Sequence, residues 1–225
     1  MNSNTYTPPI LTVDAVIMQL IDNELCVLLI QRAQDPFKDQ WALPGGYNAA
    51  GETTREALSR ILQKKAGIEL EDLRLIEQLY TFDTVARDPR GHAVSVTYMG
   101  LGKDITAIHS PTIEGPQFFP VKDLPQLAYD HKEIIMYACE RLAAKLSYTN
   151  AVYALLPKLF TLSQLQSAYE AVLGRSLDKR NFRKKFLSLD LVQPTEEFSQ
   201  DGAHRPARFY KFNSPDLETL SRGFD

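Results

Sequence analysis

Between residues 10 and 31 the chain carries two apolar runs, ILTVDAVIMQLI (10–21) and LCVLLIQ (25–31), rich in β-branched and large aliphatic side chains. The polar triplet Asp22-Asn23-Glu24 between them reads as a tight turn, so the two runs are expected to form a β-hairpin. Further strand patterns occupy 72–82, 93–101 and 117–121, the second just after the turn-forming Asp88-Pro89-Arg90-Gly91. At 52–65 the period changes: Ala57, Leu58, Ile61, Leu62 and Lys65 recur at i, i+3, i+4 and predict a helix. Asp130 and Glu133 have capping-box spacing and open a second predicted helix that runs to about Leu146. The first 148 residues thus read as a mixed sheet with a few helices, an α/β or α+β sandwich.

From Asn150 the pattern becomes helix, helix, turn, helix and two short strands. Thr161 and Gln164 form another capping box for a helix over 162–173, which Gly174 ends, and a short helix follows from Asp178 to Leu187. Strands are expected at 190–194 and 207–212 with a polar loop, 195–204, between them. The expected division is therefore 1–148 and 149–225, with Ser147–Pro157 as the mobile junction.

Composition changes this picture little, charge rather more. The chain has 225 residues, 44% of them hydrophobic, enough for a full core in one large or two small domains. A net charge of −3 excludes a protein that is basic throughout, but the balance is uneven. Residues 1–149 hold 14 Lys/Arg against 19 Asp/Glu, whereas residues 150–225 hold 11 against 9. Cys26 and Cys139 stand in apolar settings without metal-ligand or CxxC spacing and read as buried, reduced thiols. No leader-like or membrane-spanning run stands out, and the expected location is the cytoplasm.

The candidate chemistry begins at Gly46. Five intervening residues lead to Glu52, seven more to Arg60, and then comes Gly67-Ile68; this frame resembles the Nudix box. The intact box places acids at the first, fourth and fifth positions after its arginine, on one face of a helix. There they hold the Mg²⁺ that bridges a pyrophosphate and activates water. Here those positions are Ile61, Lys64 and Lys65. An apolar side chain and two ammonium groups replace three carboxylates, so neither a catalytic residue nor a metal ligand set is assigned. Glu52 and Glu56 are the acids that remain. The rest of the pocket is retained. Gly45 and Gly46 let backbone N–H groups approach a phosphate, and Arg32 closes the second strand beside them. Lys64 adds positive charge, and the stretch from Arg87 to Val96 resembles the ADP-ribose-handling branch of the family. Phe37, Trp41 and Tyr98 are candidate stacking faces for adenine. Effector-binding candidates are thus Arg32, Phe37, Trp41, Gly45, Gly46, Glu52, Arg60, Lys64, Arg87 and Tyr98.

The C-terminal segment has the element order of a winged helix. In DKRNFRKKFLSL, Phe182, Phe186 and Leu189 fall on one face, with Arg180 and Lys184 opposite and Asn181 and Arg183 on the flanks. Arg, Asn and Lys on an outward face suit guanine, adenine and phosphate respectively. The wing tip adds Arg205 and Arg208. DNA-binding candidates are Lys179, Arg180, Asn181, Arg183, Lys184, Arg205 and Arg208.

A Nudix sandwich joined to this second, smaller winged helix-turn-helix domain resembles the NrtR-type Nudix-related transcriptional regulators over nearly the whole chain, from Leu11 to Phe212. The segments AYDHKEIIMYACERLAAKL, FTLSQLQSAYEAVLGRSLDKRNFRKKFL and RPARFYKF carry that likeness. The resemblance implies a homodimeric repressor of NAD-metabolism genes that binds a double-stranded operator. ADP-ribose or a related nucleotide would be its small-molecule effector, with no cofactor required. Two other readings remain open at this point: a sugar-catabolism regulator answering a pentose derivative, and an active ADP-ribose pyrophosphatase.

Overall fold

The computed structural model of the chain describes residues 7–107, 115–199 and 206–220. The expected hairpin forms from β1 (Ile10–Ile21) and β2 (Glu24–Gln31). Its turn places Asp22 at φ 50° and Asn23 at φ 63°, the paired left-handed geometry that matches strand twist in a two-residue loop. Thr12 to Gln19 are all buried, because β1 is the central strand and is covered on both faces. Val13, Ala15 and Ile17 join one core, and Val16 and Met18 join the other.

Five more strands complete this sheet: β3 (Trp41–Ala42), β4 (Gly45–Tyr47), β5 (Leu75–Phe82), β6 (Ala93–Leu101) and β7 (Gln117–Pro120). The order is β3-β2-β1-β6-β5, with β4 paired to β1 and β7 to β2. β6 runs parallel to β1 and β5 antiparallel to β6. The two short strands β3 and β4 carry no alternating pattern of their own.

α1 (Thr54–Ala66) covers one face of the sheet. Thr53 caps it through a reciprocal box with Glu56, and Gly67 ends it in the left-handed conformation, φ 64°. α2 (His131–Tyr148) lies on the other face, and its predicted capping box does not form. Asp130 makes no side-chain cap bond because its carboxylate is taken by Arg87 at 2.7 and 2.8 Å.

After α2 comes a single 3₁₀ turn, Ala151–Leu155, in place of the expected helix. β8 (Phe160–Thr161) and α3 (Leu162–Leu173) follow, with the Thr161–Gln164 box and the Gly174 cap both present. α4 (Lys179–Leu187) has Asp178 as its N-cap. β9 (Val192–Phe198) runs on into the segment expected as loop, and β10 (Arg208–Phe212) pairs with both β9 and β8.

The junction between the two segments is closely packed. Leu146, Thr149, Asn150, Ala151, Val152, Ala154, Leu155 and Leu156 are all buried, so Ser147–Pro157, expected as a mobile junction, is a packed seam in this structure. One hydrophobic core runs from Val16 and Met99 in the large sheet through Ile135, Leu142 and Leu146 of α2 to Leu165 and Phe186. Polar bonds stitch the same seam: Tyr153 Oη donates to the Arg74 carbonyl at 2.9 Å, and the Leu156 carbonyl accepts from the Arg74 guanidinium. Residues 216–220 cross over it, Asn150 donating to the Asp216 carbonyl at 2.9 Å and accepting from Glu218 N–H at 2.7 Å. Among the described residues no helix is long and apolar enough to cross a membrane.

Candidate functional site

Beneath the mouth of the sheet lies a buried polar floor. Asp14 on β1, 6% exposed, accepts from Ser95 Oγ at 2.6 Å, and Ser95 lies 3.2 Å from Thr97 Oγ1. Arg87 comes within 3.6 Å of Asp14 while bound bidentately to Asp130. His131 Nδ1 accepts the Leu43 N–H at 2.9 Å, which leaves the ring proton on Nε2, 3.8 Å from Asp14. Burial pushes the His131 pKa down, so the ring is neutral at pH 7.

Gly45 sits directly over this floor. A Cβ there would fall 1.8 Å from Asp14 Oδ1, so only glycine fits. At Gly46 a Cβ would meet Ile61 Cγ1 at 3.3 Å. Ile61, at the first of the substituted acid positions, is 2% exposed and packs inward under this turn. Lys65 is an exposed residue, yet its ammonium reaches back to the turn and donates to the Gly45 carbonyl. Desolvation pushes the Lys65 pKa down while Asp14 opposes that shift. Lys64 is likewise exposed on the last turn of α1.

The surviving acids are committed elsewhere. Glu52 pairs with Arg60 Nε at 3.0 Å and accepts from the Ala49 N–H, and Arg60 also donates to the Tyr47 carbonyl at 2.9 Å. These two residues, expected at the effector, instead brace the 47–52 loop against α1. Hydrogen bonds from Arg60 hold the Glu52 carboxyl below its usual range. Glu56 is consumed by the Thr53 cap. Among the described residues no three His, Cys, Asp or Glu side chains converge on a point where a metal would bind. The donors present do not fit a Nudix metal.

Around the mouth the structure gathers cations and aromatic rings. Arg32 donates to the Pro36 and Gln34 carbonyls at 2.8 and 3.2 Å, and its guanidinium lies 4.8 Å over the Tyr129 ring. Phe37 meets Tyr129 edge-on at 4.8 Å. Arg90, held by Asp88, donates to Tyr47 Oη at 2.7 Å and lies 5.9 Å from the Tyr129 ring. Phe37 and Tyr129 have φ of 63° and 55°, left-handed backbone that bulky residues rarely adopt and that concentrates at ligand sites. The Tyr129 hydroxyl is enclosed and makes no hydrogen bond among the described residues. Tyr47, Asp88, Arg90, Tyr129, Asp14 and His131 were not among the sequence candidates. Asp88 and Arg90 lie in the Arg87–Val96 stretch and Tyr129 and His131 in the segment AYDHKEIIMYACERLAAKL, both noted for their likeness as a whole, and Asp14 left the signal of an acid inside an apolar strand.

Three candidates are placed differently from expectation. Tyr98, 7% exposed, packs in the α1 core with its hydroxyl 2.7 Å from Thr54 Oγ1, so it offers no face to a base. Trp41 is packed edge-on against Phe119 at 4.7 Å. Arg87 has a side chain only 4% exposed and serves as an internal counter-ion. Arg32, Phe37, Gly45 and Gly46 remain together at the mouth.

In the C-terminal segment, Phe182 and Phe186 are buried against Tyr169, at ring distances of 5.3 and 5.7 Å. Arg180 and Lys184 are exposed on the opposite side of α4 and Asn181 on its flank, as the periodicity requires, and Lys179 is exposed at the helix start. Arg183 is half-buried and donates to Ser163 Oγ at 3.0 Å, which ties α4 to α3. Arg208 donates to the Thr195 carbonyl at 2.6 Å and pairs with Glu196 at 2.9 Å, so it braces the wing. Both were expected to contact DNA. Arg205 lies outside the described residues.

Comparison with known proteins gives two family matches: a NUDIX domain over residues 11–138 and an NrtR DNA-binding winged helix domain over residues 152–212. The chain is 35% identical over 219 residues to the ADPR responsive transcriptional repressor NtrR of Acinetobacter baylyi, spanning 95% of this chain and 86% of that protein. Shewanella oneidensis NrtR complexed with a 27mer DNA superposes with a TM-score of 0.81 at 32% identity, covering 96% and 99% of the two chains. The NUDIX domain of the same Shewanella protein with ADP ribose matches with a TM-score of 0.55 at 34% identity, over 63% of this chain and 94% of that one.

Proposed function

The chain belongs to the NUDIX family, in the branch that joins this domain to an NrtR winged helix, and on that premise we propose that it is an ADP-ribose-responsive repressor of NAD-metabolism genes. It works in the cytoplasm as a homodimer on operator DNA. Residues 1–148 take the effector and 149–225 read the operator.

The observation that carries the sensor reading is the reach of the Lys65 ammonium to the Gly45 carbonyl. A divalent ion in a Nudix enzyme both neutralises pyrophosphate and supplies the attacking water. An ammonium group at this place supports the first task alone. Together with Arg32 and Arg90 it gives the mouth a positive field, and the rings of Tyr129, Phe37 and Tyr47 offer flat surfaces to a base. The diphosphate is bound and left intact.

α2 supplies the mechanical link. Asp130 and His131 at its start belong to the floor of the site, and Leu142 and Leu146 near its end share a core with α3 and α4. An effector that prefers one setting of this helix by about 2.7 kcal/mol changes operator affinity roughly 100-fold. By reciprocity, operator DNA weakens effector binding by the same factor.

The test is a calorimetric titration with ADP-ribose, with and without Mg²⁺, followed by product analysis of the same sample. Saturable binding without metal, intact ligand and release of operator DNA are expected. Steady formation of AMP makes the protein a pyrophosphatase. A single Lys64→Glu or Lys65→Glu exchange is expected to give no Mg²⁺-dependent turnover, since Ile61 still offers no ligand and Glu56 remains in its cap.

A further inference from the structure

The outer face of α2 and the neighbouring edge of the sheet carry an apolar surface that the functional site does not use. β5 ends the sheet order, so its outer edge has no partner strand among the described residues. Tyr80 on this strand is 51% exposed, and its ring lies 5.4 Å from Phe82 and 5.3 Å from Tyr137 of α2. Met136 and Tyr148, 46% and 45% exposed, extend the surface along the helix. An unpaired edge beside exposed aromatics is what soluble proteins normally cover.

The charges on this face point to the occupant. Tyr137, Glu140, Arg141, Ala144 and Tyr148 follow helical spacing and share one stripe. The Arg141 guanidinium lies 5.6 Å over the Tyr137 ring and donates to its hydroxyl at 3.1 Å. Exposed Glu140 makes no ion pair among the described residues. We infer that this stripe is an isologous interface, α2 packing antiparallel on α2 of a second copy, with a twofold axis passing between Glu140 and Arg141. That point is close to the middle of the helix, which spans His131–Tyr148. Each Glu140 then faces the other copy's Arg141, and each Tyr137 faces a small Ala144, so a single opposite-charge dipeptide complements itself twice.

The arrangement rests on the DNA-reading function proposed above and fits its geometry. α2 is 18 residues long, about 27 Å. Antiparallel packing sends its two C-terminal ends, each leading to a winged helix, apart by a distance of that order. Two recognition elements on successive major grooves need centres roughly 34–36 Å apart, one turn of the duplex.

The test is a charge-exchange cycle in the full chain, followed by sedimentation across a dilution series. Glu140→Arg and Arg141→Glu each turn two attractive contacts into repulsive ones and are expected to weaken the dimer by about tenfold or more. The double variant restores opposite charges across the axis and is expected to regain the parent's dimer affinity. Neighbours at i, i+1 do not face each other within a helix, so this rescue has no intramolecular route. Glu140→Arg removes no internal bond, which keeps the cycle decisive if Arg141→Glu, without its bond to Tyr137, fails to fold. Single variants that dimerise like the parent, a double variant no better than the singles, or a parent that stays monomeric would each overturn the assignment. ADP-ribose titration of the same samples separates the two ideas. A charge-dependent dimer that ignores ADP-ribose refutes the effector reading and leaves this interface standing.

Discussion

Lys65→Met removes the ammonium group while keeping an unbranched side chain of similar length. In the parent, that group donates to the Gly45 carbonyl beside the buried Asp14 carboxylate, with Arg32 and Lys64 adding to the local field. A hydrogen bond from a charged donor contributes about 1.5–3 kcal/mol, so ADP-ribose affinity should fall about 10- to 150-fold. Folding stability should move far less. Desolvation already disfavours the charged form of Lys65, so removing it relieves a cost while it deletes a bond. The pH dependence has a defined sign. Lys65 binds a diphosphate as the ammonium, and its pKa is lowered, so effector affinity in the parent should decline on the alkaline side before an ordinary lysine would lose its proton. In Lys65→Met that decline should vanish. Calorimetry between pH 7 and 10, paired with thermal melts, measures both quantities. An affinity within twofold of the parent's, with the alkaline decline intact, would refute the role of Lys65 as the resident cation.

Asp130→Ala deprives Arg87, with a side chain 4% exposed, of its bidentate partner and leaves only Asp14 at 3.6 Å, so it should cost up to about 3–5 kcal/mol in urea unfolding. Because Asp130 makes no side-chain cap bond, that loss is not a capping loss. His131 is neutral in the fold and its pKa is depressed by burial. Its contribution is therefore present above the ordinary histidine value and is lost as pH falls, with a slope approaching about 1.4 kcal/mol per pH unit below about pH 6.5. Unfolding midpoints between pH 7 and 5 should show this slope in the parent and lack it in His131→Gln. Arg180→Ala with Lys184→Ala should weaken operator binding and lower the salt slope by about one for each phosphate no longer neutralised. An unchanged affinity and slope would remove α4 from the DNA interface.

The elements that could be read from the sequence are those whose own residues decide them. The first hairpin announces itself because Asp22 and Asn23 supply the left-handed turn, and α3 because Thr161, Gln164 and Gly174 mark both ends locally. The predicted cap of α2 failed because a residue 43 positions away, Arg87, competes for the Asp130 carboxylate. No local pattern reports such a competitor. Tyr98 has the composition of a ligand-stacking residue, but alternation along β6 turns it towards α1. Conversely, Tyr129 and Arg90 come to the mouth from loops, where neither period 2 nor period 3.6 gives a side chain a direction. The recognition helix was legible because three hydrophobic positions set its phase. What periodicity could not convey was that Arg183 and Arg208 have internal partners.

The core that passes unbroken from the large sheet through α2 to Phe186 also bears on how this architecture can be taken apart. A fragment beginning after Tyr148 would strip Leu165, Val172 and the 3₁₀ turn of the side chains that cover them, and a fragment ending there would leave Leu142 and Leu146 bare. The two segments are not interchangeable cartridges. A chimaera that keeps this DNA reader while replacing its sensor would have to carry α2 along with the reader and graft the new sheet onto the far side of that helix. A cut before His131 falls inside the region of NUDIX family likeness and would take part of the sensor's own floor with the reader, so neither end of α2 separates the two functions cleanly.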